Sequence, residues 1–284
     1  MEHMSGVALT KPRQLTALAV LPYILLLVAY LPTLRDLVSD WATDSNYSHG
    51  FVVPIFATYL FWSACRQGPT GPAGRRGVGL AVLALGLLLL VIGTAAAEYF
   101  TARLSFVVSL LGLTWYLFGG QLIRRTWFAF FFLCFMIPIP YVLYYAVAFP
   151  LQLAATRITV VVLNFIGLGV VQQGNIIHIE GGHSLEVAEA CSGMRSLVAL
   201  LALGAIYAYW TQRRTIAQLL LFVSAVPIAV LANVVRVLVT SLLAVVLTDQ
   251  ITREPLHTML GLSVFVVEFI GLFLVGLVLK RIFR

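Results

Sequence analysis

The stretch SAVPIAVLANVVRVLVTSLLAVVL, residues 224–247, contains one charged side chain, Arg236. It continues an apolar run that begins near residue 216, so the whole run exceeds 30 residues. A helix needs only about 20 apolar residues to cross the hydrocarbon core of a bilayer. The run therefore predicts a long membrane helix, and Pro227 within it is expected to produce a kink.

Apolar runs of this kind recur along the chain. The sequence is 61% hydrophobic and 10% charged, with a mean hydropathy of +1.00, whereas soluble domains carry roughly a quarter charged residues. These values predict an all-α polytopic membrane protein with about eight transmembrane helices. The first run lacks a small-residue cleavage site and is interpreted as a membrane helix, not a removed signal peptide. The predicted spans lie near 15–34, 51–65, 78–97, 103–119, 127–147, 192–210, 216–247 and 257–280.

The basic residues indicate how these spans are oriented. Of the 18 Lys and Arg residues, 12 fall on one side of the predicted topology, and an excess of Lys and Arg marks cytoplasmic loops. Both termini are therefore predicted to be cytoplasmic. The net charge of +7 follows from this pattern and not from a soluble basic domain, so no nucleic-acid partner is expected. The 12 residues are Lys11, Arg13, Arg66, Arg75, Arg76, Arg124, Arg125, Arg213, Arg214, Lys280, Arg281 and Arg284.

Residues 148–190 depart from the pattern. The stretch FPLQLAATRITVVVLNFIGLGVVQQ, residues 149–173, is apolar enough to span, but a span here would move the basic loop TQRR to the outer side. We therefore predict an interfacial or re-entrant helix over 151–172 on the outer face, with Arg157 toward the headgroups. The following stretch NIIHIEGGHSLEVAEA predicts a short outer β-hairpin around Gly181-Gly182. The whole chain, 1–284, is expected to form a single membrane domain.

Cys191 lies on the predicted outer side, in EACSGMRSL, directly before an apolar run. A thiol at a helix N-terminus faces free backbone N–H groups and the positive end of the helix dipole, which lower its pKa. Ser192 is the predicted N-cap, and Arg195 adds positive charge about one turn further on. The alternative interpretation is a passive cysteine at a helix start.

Two further stretches bring reactive side chains to the same predicted depth. In NVVR, Asn233 lies one turn before Arg236, and an arginine inside an apolar helix usually has a partner or a function. In REPLHTMLGL, His257 begins the last helix, and histidine is the usual general acid–base near neutral pH. A thiol, a guanidinium and an imidazole together predict nucleophile, oxyanion stabiliser and proton shuttle. The alternatives are an arginine that reaches the headgroups and a histidine that caps its helix.

Other outer residues are candidates for supporting roles. His49, in SNYSHGF, competes with His257 as the base or binds substrate, and Tyr47 is expected to line the substrate path. Glu189 is expected to pair with Arg195 or to meet the substrate. The outer histidines match no zinc spacing, so neither a metal nor another cofactor is predicted.

The ordered set EACSGMRSL, NVVR and HTMLG, with YSHGFVVPIFATYLFW upstream at 47–62, resembles the exosortase family of bacterial membrane transpeptidases and their archaeal relatives, the archaeosortases. The resemblance implies that Cys191, Arg236 and His257 form a catalytic triad on the periplasmic face of the inner membrane. It also implies membrane-anchored protein substrates whose C-terminal sorting tail holds a Pro-Glu-Pro-type motif, a helix and a basic cluster. The periplasmic domain that some members carry is not expected here.

The chemistry implied is acyl transfer through a thioester on Cys191, which a lipid, a glycan or water then resolves. Two alternatives from other classes stay open. A transporter or channel would carry more ionisable groups within its spans, where Glu268 is the main exception. A glycan or lipid transferase would use the outer Arg and His residues without the thiol.

Overall fold

The structure is a computed structural model that describes residues 17–67, 76–179, 183–187, 192–247 and 256–283. These ranges contain ten α-helices, two short 3-10 helices (Ser45–Phe51 and Cys134–Met136) and three short strands. The helices are α1 (Ala17–Ala29), α2 (Leu31–Thr43), α3 (Val52–Cys65), α4 (Arg76–Ala95), α5 (Tyr99–Phe118), α6 (Gly120–Leu133), α7 (Tyr141–Phe165), α8 (Met194–Thr211), α9 (Thr215–Leu247) and α10 (Leu256–Ile282). The strands are β1 (Val170–Gln173), β2 (Ile176–Ile179) and β3 (His183–Glu186).

Six of the described helices, namely α4, α5 and α7 to α10, are long and apolar enough to cross a membrane. The pair α1 and α2 makes a seventh candidate if it is counted as one span bent by 67°. These helices and strands confirm a mostly helical protein with several candidate membrane spans and a small sheet. The predicted number of about eight spans and the cytoplasmic location of both termini stay predictions.

The long apolar run quoted at the outset forms one helix of 33 residues, α9, which continues through Pro227. The predicted span over 127–147 is wrong, because α6 ends at Leu133 and α7 begins at Tyr141. Pro138 and Pro140 lie between the two helices and explain the break. Proline has no N–H to donate and drives the residue before it out of helical geometry.

Helix α7 also changes the interpretation of 148–172. Its 25 residues run without interruption from Tyr141 to Phe165 and include Pro150. A helix of that length measures about 37 Å, more than the hydrocarbon core of a bilayer. The predicted bounds of a separate helix, 151–172, are therefore wrong, since residue 151 lies inside α7 and residues 170–172 belong to β1. The interfacial or re-entrant position of this segment stays a prediction.

The chain divides into two compact units, of which the first comprises Met1–Thr43 and Gly50–Pro138. In this unit α4 packs against α5 through glycines at 79, 86 and 93, all of them buried. A Cβ at Gly93 would lie only 2.7 Å from the backbone N of Ala102. One glycine every seven residues thus lets the two backbones touch, a common device of membrane helix pairs.

A polar contact reinforces the same helix pair. Tyr30, at the break between α1 and α2, is fully buried. Its hydroxyl lies 3.0 Å from Ser105 Oγ and 2.8 Å from Ser109 Oγ, and it donates to the Gly86 carbonyl at 3.3 Å. The bent pair is therefore joined to α4 and α5 by hydrogen bonds inside an apolar core.

The second unit comprises Asp44–His49 and Ile139–Arg284. Its helical core lies between α8, α9 and α10, where Leu200, Leu221 and Leu272 are almost completely buried. Its three strands form an antiparallel sheet in the order β1-β2-β3, with Val170 opposite Ile179 and Ile176 opposite Glu186. The predicted hairpin is confirmed as β2 and β3, and β1 extends it. Residues 180–182 and 188–191 lie outside the described part.

Candidate active site

Cys191 lies just outside the described residues, and the description resumes at Ser192, immediately before α8. The N-cap of α8 is Gly193, in the left-handed region at φ +82. The predicted N-cap, Ser192, is therefore one residue too early. Its hydroxyl accepts a hydrogen bond from the Met194 N–H at 3.4 Å, and its side chain is buried. Glycine takes the cap position because the left-handed backbone is accessible without a Cβ.

Asn233 on α9 packs directly against this cap. A Cβ at Gly193 would lie 2.8 Å from Cγ and 2.9 Å from Cβ of Asn233, which is 4% exposed. Two separate features therefore require glycine at position 193: the positive φ and the close approach of α9. The contact places α9 against the residue that follows Cys191 by two positions.

Arg236 lies one turn beyond Asn233 and faces α10. A Cβ at Gly261 would lie 3.8 Å from Nη2 and 3.9 Å from Cζ of Arg236, so the guanidinium fits against the α10 backbone. His257 lies in the first turn of α10, one turn before Gly261, and the structure describes its backbone only. Helix α9 therefore contacts both segments that carry the other two predicted catalytic residues.

Arg195 joins the first turn of α8 to the segment 44–49. Its Nε donates to Asn46 Oδ1 at 3.4 Å, and its Nη2 donates to Ser45 Oγ. The predicted partner Glu189 lies outside the described residues. Glu186, three residues earlier in the chain, accepts a hydrogen bond from Asn175 Nδ2 at 3.4 Å.

Tyr47 is the buried anchor of the same segment. It is 5% exposed, and its hydroxyl accepts a hydrogen bond from the Ile139 N–H at 3.2 Å. Burial, with a contribution from the nearby Asp44, raises the pKa of Tyr47 to about 12. His49 is half-buried, and its ring centroid lies 6.4 Å from that of Tyr47. These contacts give Tyr47 a structural role beside the predicted role in the substrate path.

A small cavity of about 30 Å³ lies beside the start of α8. On this measure a water molecule needs roughly 10–15 Å³, so the space fits a group of only a few atoms. Most of its wall is apolar, and its polar edge is formed by Ser192 and Asn233. The lining residues are Leu151, Ala154, Ala155, Ile158, Ser192, Gly193, Leu197, Ala229, Val230, Asn233 and Val234.

Every predicted site residue falls within residues 41–274, the range that is matched by the family model described as transmembrane exosortase (Exosortase_EpsH). The chain belongs to the exosortase family. The resemblance inferred from the sequence motifs is thereby confirmed. No curated protein and no solved structure matches the chain.

The family match begins at Trp41. The indole of Trp41 explains why Gly50, in the SNYSHGF stretch of this exosortase, has to be a glycine. A Cβ at Gly50 would lie 2.7 Å from Cε2 of Trp41, too close for any side chain. The indole Nε1 donates to the Met136 carbonyl at 2.8 Å, so the ring cannot move away freely. Gly50 is therefore a packing requirement within the first unit.

The contribution of α7 to the site of this exosortase was missed in the sequence. Gln152 is 7% exposed, and its Nε2 donates to the Val187 carbonyl, just before the segment that leads to Cys191. Thr156 and Thr159 are fully buried on the same helix. Their spacing of four and three residues marks one polar stripe on an apolar helix, which is typical of a face that packs against protein.

Among the residues that the structure describes, no group of three or more His, Cys, Asp or Glu side chains could hold a metal ion. His178 Nε2 lies 3.1 Å from Gln173 Oε1 across the first hairpin, which accounts for this histidine locally. Cys65 and Cys134 are free thiols on the first unit.

Proposed function

We propose that this exosortase is a membrane-embedded cysteine transpeptidase or protease. In this proposal it cleaves the PEP-CTERM-type sorting tail of membrane-anchored exported proteins at the outer face of the inner membrane. The observation that supports the proposal most directly is the double contact of α9. Through Asn233 it touches Gly193, two residues after Cys191, and through Arg236 it touches Gly261, one turn after His257.

The reaction begins with attack of the Cys191 thiolate on a backbone carbonyl of the substrate tail. A carbon–sulfur bond forms, and negative charge develops on the carbonyl oxygen. Arg236 stabilises this oxyanion, assisted by first-turn N–H groups of α8, which have no partners within the helix. Arg236 has the reach for this role because it is half-buried on α9 and lies against a glycine.

Collapse of the oxyanion breaks the peptide carbon–nitrogen bond. His257 gives its proton to the departing amine, so the tail leaves as a neutral amine and the substrate stays on Cys191 as a thioester. His257 then accepts a proton from the second nucleophile, which is a lipid, a glycan or water. Attack of that nucleophile breaks the carbon–sulfur bond, releases the product and restores the Cys191 thiolate beside protonated His257.

The small cavity beside Ser192 and Asn233 supports this assignment to peptide chemistry. Its walls come from α7, α8 and α9, and they are mostly alanine, valine, leucine and isoleucine. A cavity of this size and polarity suits a small apolar side chain next to the scissile bond. A channel or transporter would need a polar path through the described helices instead.

The test is mass spectrometry of an exported reporter that ends in a Pro-Glu-Pro motif, a membrane helix and an Arg cluster. The reporter is coexpressed with wild type, Cys191→Ala, Cys191→Ser or the control variant Cys65→Ala. We expect a cleaved product with wild type and with Cys65→Ala, and intact reporter with both Cys191 variants. Cleavage at the wild-type level in either Cys191 variant would contradict the proposal and favour a transferase that does not use the thiol.

Trapping the intermediate sharpens this test. In Arg236→Lys or His257→Gln, with insertion unchanged, we expect little product. Hydroxylamine added to wild-type membranes should release the reporter as a hydroxamate, because it attacks a thioester. Absence of any hydroxamate while cleavage continues would exclude the acyl-enzyme route.

A further inference from the structure

Glu268 is a buried carboxyl group in the second unit that has no role in the proposed mechanism. It lies in the middle of α10, within the candidate span Ser263–Ile282, and its exposed fraction is 0%. Neither carboxylate oxygen has a hydrogen-bond partner among the residues that the structure describes. A carboxylate in such surroundings is costly, so its presence requires a compensating cation or a function.

Glu268 lies on the face of α10 that packs against α8 and α9, because Leu272, one turn further along α10, is buried in the same core as Leu200 of α8 and Leu221 of α9. This face of α10 therefore packs against the helix that begins just after Cys191 and against the helix that carries the arginine of the proposed oxyanion site.

Arg236 is the cation that α9 brings to this face of α10, since its guanidinium lies against Gly261. It is the only ionisable residue in the sequence of α9. On α8 the ionisable residues are Arg195, Tyr207 and Tyr209. Arg195 is exposed and bound to Ser45 and Asn46, and both tyrosines lie near the C-terminal end of α8, where Tyr207 packs against Gly276.

The spacing on α10 agrees with this pairing. Glu268 follows Gly261 by two helical turns, and Gly261 is the residue against which the Arg236 guanidinium lies. Residues four and seven apart share a helix face. His257, Gly261 and Glu268 therefore form one line along the helix, and Arg236 packs against its centre.

We propose that Glu268 is a positioning residue that holds the Arg236 guanidinium inside the helix bundle, where it can serve Cys191. The carboxylate attracts the guanidinium toward the middle of α10, and the absent side chain of Gly261 leaves room for it. Loss of the carboxylate removes this attraction, so the guanidinium is held less firmly inside the bundle and extends more readily toward water, as long cationic side chains do at membrane surfaces. The inference rests on the proposed function, because it holds that Arg236 is positioned for the reaction at Cys191.

The test measures how fast an uncharged maleimide alkylates Cys191 between pH 5 and 10 in intact membranes. The chain used is full length, with Cys65 and Cys134 replaced by Ser so that one thiol reacts. The variants are Glu268→Gln, Glu268→Asp, Arg236→Gln and the double variant Glu268→Gln/Arg236→Gln. Yield of inserted protein and thermal unfolding in detergent report folding separately.

If Glu268 positions Arg236, Glu268→Gln should reproduce Arg236→Gln. Both variants lose the cation beside the thiol, so the pH midpoint of alkylation rises, and the rate at pH 7 falls about tenfold for a shift of one pKa unit. The double variant should be no slower than Arg236→Gln alone, and Glu268→Asp should recover part of the rate. Processing of the reporter should fall in the same order.

Other outcomes overturn the inference. Wild-type midpoints in Glu268→Gln or in Arg236→Gln would show that the pair does not set the charge at Cys191, and additive effects in the double variant would show that the two residues act separately. A merely structural glutamate would lower the yield and the unfolding temperature without moving the midpoint. The Cys191→Ala reporter result decides the proposed function independently of these measurements.

Discussion

Gly193 packs directly against Asn233, since a Cβ added at Gly193 would lie only 2.8 Å from Cγ of the asparagine. The glycine is also in the left-handed region at φ +82. The contact therefore packs the start of α8 against the middle of α9. Gly193 follows the proposed nucleophile by two residues, and Asn233 precedes the proposed oxyanion arginine by one helical turn.

The first prediction concerns Gly193→Ala. The left-handed backbone costs an alanine about 1–2 kcal/mol, and the clash with Asn233 adds about 1–3 kcal/mol of overpacking. We expect reporter cleavage to fall at least tenfold and the unfolding temperature in detergent to drop. Gly167→Ala is the matched control, because Gly167 has φ +88 with nothing within 4 Å of a Cβ. Equal effects of the two substitutions would show that the Asn233 contact is unimportant.

The second prediction concerns the hydrogen bond from Gln152 to the Val187 carbonyl. Gln152→Leu keeps the volume of the side chain and removes one donor from the Val187 carbonyl, which still accepts from Asn175 Nδ2 at 3.2 Å, so the cost is about 0.5–1.5 kcal/mol. Both unfolding temperature and reporter cleavage should decrease. Gln172→Leu removes a similar bond, from Gln172 to the Gly174 carbonyl at 2.8 Å, in an exposed turn. That control should change the free energy of unfolding by less than about 0.5 kcal/mol, and a larger effect there than at Gln152 would refute the argument.

A third prediction tests the backbone contact of α4 and α5. Gly93→Ala places a Cβ 2.7 Å from the Ala102 nitrogen, so the helices must separate. We expect a loss of about 1–3 kcal/mol in the free energy of unfolding. Gly77→Ala lies on the same helix with nothing within 4 Å, and should be neutral or stabilising by up to about 1 kcal/mol. Thermal unfolding of both variants in detergent gives the comparison, and equal stabilities would exclude a packing role for Gly93.

A fourth prediction concerns pH and Glu98, the N-cap of α5. Hydrogen bonds from Thr101, first from its side chain and also from its backbone N–H, and from the Phe100 N–H lower the pKa of this carboxyl. A lowered pKa in the folded state stabilises the protein above the unfolded value near 4.5, and this contribution is lost as the pH falls through the lower folded value.

Glu98→Ala should therefore cost about 0.5–2 kcal/mol at pH 7, and less as the pH approaches 3. Glu98→Gln keeps an oxygen acceptor without the ionisation, so its unfolding temperature should depend less on pH than that of the wild type. Scans between pH 3 and 7 provide the measurement. Parallel pH curves for wild type and Glu98→Gln would contradict the assignment of this pH dependence to Glu98.

The pattern of apolar runs predicted the helical membrane class, and the motifs around Cys191, Arg236 and His257 predicted the family. The hairpin at β2 and β3 was also predictable, because alternating residues around a glycine pair are a local signal. The boundaries of α7 were not. The charge rule concerns loops and orientation, whereas the break at 134–140 depends on two prolines inside an otherwise apolar run.

By itself the sequence determined that this chain forms apolar helices long enough to cross a membrane, and roughly where most of them lie. Hydropathy, proline and glycine act over a few residues, so such features can be read along the chain. Only the tertiary structure decided that Asn233 meets Gly193, that Arg236 lies against Gly261 and that Glu268 faces both α8 and α9. Those contacts join residues far apart in sequence, and they depend on the rotation and depth of each helix in the bundle, which side-chain packing determines.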